Sequence, residues 1–72
     1  MNLYLLEQSN KNRYEIYDSI IVCAESESDA ITIKPSNNIY EWADNDNITC
    51  KFIGTASTDL KRGIIHSSYT GS

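Results

Sequence analysis

Positive charge is scarce in this chain. Six Lys and Arg stand against ten Asp and Glu, giving a formal charge of −4. A direct nucleic-acid binder needs a cationic footprint to displace phosphate counterions, so direct nucleic-acid binding is not expected. Cysteine is scarce too. Cys23 and Cys50 are the only two, and both lie in apolar, strand-like runs, where a small buried thiol is the expected state and a disulfide framework is not. There is one histidine, His66, and no CxxC or HxxxH spacing; structural zinc needs such a convergent set, so no metal or other cofactor is expected. A Cys/His nucleophile pair would need an exposed, electropositive thiol, which an acidic chain with apolar cysteine contexts does not offer.

Glycine is limited to Gly54, Gly63 and Gly71. These are isolated, which fits turns and excludes a phosphate-cradling loop. The run Asp44-Asn45-Asp46-Asn47 lacks the central Gly and the final Glu of a calcium loop. The carboxylates are scattered, with no sign of the desolvated site that acid/base chemistry requires. No apolar run approaches the ~18 residues of a membrane span, and Met1–Leu6 lacks the basic leader and cleavage site of a signal peptide. The expectation is therefore a cytoplasmic, non-enzymatic binding protein. Its 72 residues form one domain, residues 1–72, which buries only about 60% of the surface exposed by its unfolded chain. Such a domain is marginal without a compact sheet core, a partner or self-association.

What is present patterns as strands around one helix. Leu3–Gln8 reads as a first strand with apolar residues on both faces, and Ser9–Arg13 as a polar turn. Tyr14–Ala24 follows as a second strand, with the β-branched run Ile20-Ile21-Val22 at its centre and an interruption at Asp18-Ser19 that suits a bulge. Ser26 caps a helix of about two turns, with Asp29 completing a capping-box-like pattern. Pro35 stops it. Ser36–Asn47 is an Asn/Asp-rich connection with room for a helical turn at Tyr40–Ala43. In Ile48–Gly54 the alternation puts Ile48, Cys50 and Phe52 inward and Thr49 and Lys51 outward. Gly63–Tyr69 closes the set. The implied fold class is α+β: a mostly antiparallel sheet of about four strands, in the order β-β-α-β-β, with one short helix packed on it.

The surface inventory is acidic and aromatic. Glu25, Glu27 and Asp29 with Glu41, Asp44 and Asp46 form a candidate acidic array, and Tyr40 and Trp42 supply its aromatic part. Five Tyr and one Trp either fill the core of a Phe-poor protein, with Tyr4, Tyr17 and Trp42 inside, or serve contacts, as Tyr and Trp do at interfaces. Acidity alone also serves solubility.

Tyr17-Asp18-Ser19, Val22-Cys23-Ala24-Glu25-Ser26, Asp29-Ala30 and Pro35, continued by Ile53-Gly54-Thr55-Ala56-Ser57, Gly63-Ile64-Ile65 and Ser68-Tyr69, resemble a pattern in short proteins of phages and prophages. The resemblance spans most of the chain on structural-looking residues. Small acidic phage proteins of this size include inhibitors of bacterial defence, anti-CRISPR proteins among them. It implies an inhibitor whose partner is a host protein or nucleoprotein complex, and it transfers no functional residues. An alternative is an oligomeric sponge for a nucleotide signal, with Tyr40, Trp42 and Tyr69 stacking on a base and Lys51, Lys61 or Arg62 at the phosphate. A structural or regulatory prophage protein is the third. Leu3–Gln8 and Gly63–Tyr69 are both candidates for sheet edges, and one edge left open points to a homodimer, with strand addition by a host partner as the competing outcome.

Overall fold

The computed structural model describes residues 1–9, 16–38, 41–43 and 45–70. Four strands, β1 (Asn2–Gln8), β2 (Ile16–Ala24), β3 (Ile48–Thr55) and β4 (Gly63–Thr70), form one sheet in the order β3-β1-β2-β4. Every neighbouring pair is antiparallel. One short helix, α1 (Glu27–Ile31), and a 3-10 turn at Asn45–Asn47 complete the described elements. The expected α+β class is what the chain adopts.

The expectation that Leu3–Gln8 lies at an edge is corrected. β1 sits between β2 and β3, because the chain leaves β2, passes through α1 over one face, and returns on the far side of β1. The true edges are β3 and β4. The β3–β4 loop must then cross the end of the sheet. It is tied there by the Ala56 N–H donating to the Met1 carbonyl at 3.0 Å, and Ser57 donates its hydroxyl to Asp59.

Strand alternation sorts the side chains into two faces. Tyr4, Leu6, Ile20, Val22 and Ala24 share the face that Ala30, Ile33 and Trp42 cover, forming the hydrophobic core with Ile48 and Cys50 packed against it. Phe52 lies opposite Tyr4 and meets its ring edge-on at 5.9 Å, yet is 56% exposed. The opposite face carries Leu3, Leu5 and Ile21, each half-buried, and Cys23, fully buried with its Sγ 3.9 Å from Met1 Sδ.

The register of β2 against β4 shifts between Tyr17 and Ser19, so Asp18 forms the expected irregularity. The hydrophobic alternation resumes beyond it. The helix is shorter than two turns: it ends at Ile31 with Thr32 as its C-cap, well before Pro35. The Thr32 hydroxyl donates to the Asp29 carbonyl at 2.6 Å, and this side-chain competition with the backbone ladder closes the last turn early.

Candidate functional site

The helix start is built from local chemistry. Ser26 is extended, and its Oγ accepts from the Asp29 N–H at 3.2 Å, as the capping pattern predicts. The Asp29 carboxylate reaches back one residue further than a standard capping box, accepting from the Glu25 N–H at 3.1 Å. Arg62, at the end of the β3–β4 loop, grips the same carboxylate. Its Nε lies 3.1 Å from both oxygens, and its Nη2 lies 2.8 Å from Oδ1 and 3.0 Å from Thr32 Oγ1. This is a forked, charge-assisted arrangement. The hydrogen bond from Arg62, the Glu25 amide and the guanidinium charge together hold the Asp29 carboxyl below its ordinary range.

The acidic residues divide into two groups. Glu25 and Glu27 are exposed, and Asp29 is half-buried, just beyond the Ala24 end of β2, the end that pairs with Asn2. Glu41 and Asp46 lie toward the other end of the sheet. The Glu41 carbonyl accepts from the Tyr17 N–H and from Gln8, and Asp46 sits in the 3-10 turn whose Asn47 carbonyl accepts from the Ser9 N–H. The length of β1, roughly 20 Å at ~3.3 Å per residue, separates Glu25 from this second group. Burial, and after it the negative charge of Glu27, push the Cys50 thiol up. A thiol so raised is a poor nucleophile. Cys50 and His66 also lie on opposite edges of the sheet, on β3 and β4, so they form no catalytic pair.

Trp42, which the sequence leaves open between core and contact surface, is 2% exposed and packs in the core, so its place in the candidate contact set is corrected. The correction has a physical reason: α1 is too short to cover the Tyr4/Leu6 face alone, and the indole fills the remainder. Tyr40 and Asp44 lie outside the described residues. Glu41 is half-buried and engaged by the Ser36 hydroxyl at 2.7 Å. Of the expected array, Glu25, Glu27 and Asp46 are therefore the exposed described members.

Gln8 was not singled out by its sequence context, yet it is the one buried polar side chain, at 4% exposure among the described residues. Its amide donates to the carbonyls of Tyr17 and, at 3.0 Å, of Glu41, and its Oε1 accepts from the Ala43 N–H at 3.2 Å. The available signal was its position: Gln8 continues the inward series Tyr4, Leu6. This side chain staples the Glu41–Ala43 segment, and with it Trp42, onto the sheet.

Among the described residues, no group of three or more His, Cys, Asp and Glu is placed to hold a metal ion, and no helix is long and apolar enough to cross a membrane. No family model, no curated protein and no solved structure matches this chain.

Proposed function

We propose that this protein is a phage-type inhibitor that binds a host defence complex, such as an RNA-guided nuclease, in the host cytoplasm. It acts by occupancy and carries out no reaction. The observation behind this reading is the exposed pair Glu25 and Glu27 beside a helix start fixed by Ser26, Asp29 and Arg62. Arg62 is spent on Asp29, which leaves the two glutamates as the outward charge. Nucleic-acid channels are lined with Lys and Arg, and carboxylates on a rigid ledge complement them and speed encounter. Phe52 and Ile53, exposed on β3, supply apolar contact area on the strand that α1 packs against.

The test is a pull-down from host lysate with the wild type and a Glu25→Lys/Glu27→Lys variant, beside a phage-survival assay. The expected result is capture of a nucleoprotein complex and a survival advantage, both lost in the charge-reversed variant. Failure to capture such a complex, together with unchanged survival, overturns the reading and favours a structural or regulatory prophage role. The nucleotide-sponge alternative loses two of its named residues, since Trp42 is buried and Arg62 is engaged by Asp29; no observation favours it.

A further inference from the structure

The two edges of the sheet differ in how they are protected. An edge strand presents unpaired N–H and C=O groups to any extended partner, and proteins blunt such edges with charges, especially Lys, or with irregularities. β3 has both: Lys51 in mid-strand, and a register shift opposite Leu3/Tyr4. β4, Gly63-Ile64-Ile65-His66-Ser67-Ser68-Tyr69-Thr70, contains no Lys, Arg, Asp or Glu along its eight residues. It has an irregularity of its own at Ile65, between the Ile21–His66 and Val22–Ile64 pairs, and β2 is irregular opposite Ser68/Tyr69, at Asp18; charge, not irregularity, therefore sets the two edges apart. The large apolar side chains of β4 remain partly exposed, Ile64 at 41%, Ile65 at 44% and Tyr69, whose ring lies 4.8 Å from that of Tyr17, at 47%.

We propose that β4 pairs antiparallel with β4 of a second copy of this chain, joining two four-stranded sheets into one continuous sheet. Charge identifies the occupant. Two copies of a −4 chain repel each other across most approaches, but β4 against itself brings no like charges together. Symmetry fits as well. A two-fold axis through a mid-strand residue such as Ser67 sets Ile65 of each copy opposite Tyr69 of the other, so the apolar residues cover one another while the small hydroxyl residues sit at the centre, where strands approach closely. The pairing also ends at two copies. The outer edges of the joined sheet are the two β3 strands, each guarded by Lys51, so no open-ended stack follows. The added contacts relieve the size limit of a 72-residue domain.

Light scattering coupled to size exclusion, run on the full chain across a concentration series, reads this directly. The expected mass is that of a dimer at micromolar concentration, and amide hydrogen exchange should slow along β4 as concentration rises. Ile65→Lys should return the mass to one chain, and Ser67→Lys serves the same purpose if the first variant folds poorly by circular dichroism. Ile53→Lys on the opposite edge should remain dimeric. A single-chain mass for the wild type at every concentration overturns the proposal and leaves the edge to a strand from another protein. A dimer that survives both β4 variants, or that is lost equally in Ile53→Lys, overturns it as well.

Discussion

Gln8 carries more of the structure than its residue type suggests. A buried amide is costly when unpaired and near neutral when fully paired, and this one engages three backbone groups on two segments. Replacing it by Ala leaves the Tyr17 carbonyl and the Ala43 N–H without that partner, in a region closed by Trp42. Gln8→Ala should therefore destabilise the fold by about 1–3 kcal/mol, measured by urea denaturation. Gln8→Glu should be worse above the carboxylate pKa, because a carboxylate cannot donate to the two carbonyls that the amide serves. A Gln8→Ala variant as stable as wild type would show that water replaces the amide and that the segment holding Trp42 is not stapled by it.

At the scale of elements, α1 is held from outside as much as from within. Five residues cannot sustain a helix by propensity. The Ser26 cap, the reach of Asp29 to Glu25 and the Arg62 fork hold both its ends. Because the folded-state pKa of Asp29 is depressed below 3.8, its contribution is present at pH above the unfolded value and is lost as pH falls through the folded one. The β3–β4 loop should thus loosen only under acid conditions, below about pH 4. Amide exchange near Arg62 across that range is the measurement, and Asp29→Asn should already show the loosened loop at neutral pH. The cap at Ser26, the irregularity at Asp18 and the alternation of β3 from Ile48 to Lys51 were legible in the sequence, because each is set by residues adjacent along the chain; Phe52, expected inward, is instead 56% exposed beside the register shift at Ile53. The place of β1 between β2 and β3 was not. Its apolar residues on both faces are equally those of an edge awaiting a partner and of an interior strand, and only the crossover through α1 decides between them. The acidic array failed as one surface for a related reason: composition counts carboxylates, whereas the sheet sends Glu25 and Asp46 toward opposite ends.

For the molecule as a whole, the two faces of the sheet are covered unequally. The described helix and Trp42 cover the Tyr4/Leu6/Ile20/Val22 face, while on the other Cys23 is fully buried but Leu3, Leu5 and Ile21 are only half-buried. Ile20 and Ile21 make this testable, since they are adjacent, identical in chemistry and turned to opposite faces. Ile20 is 1% exposed within the core, so Ile20→Ala should cost about 2–5 kcal/mol from lost transfer energy and the cavity left behind. Ile21→Ala removes the same atoms from a half-wet site, where neighbours and water fill the space, and should cost less than half as much. At ~0.05–0.15 kcal/mol per residue, a chain of this length has a total stability of only about 4–11 kcal/mol. The Ile20 variant should therefore lose a large share of the total and unfold at a much lower urea concentration than wild type, while the Ile21 variant keeps a midpoint close to it. Equal losses at the two positions would mean that the Leu3/Leu5/Ile21 face is covered in solution as completely as the other.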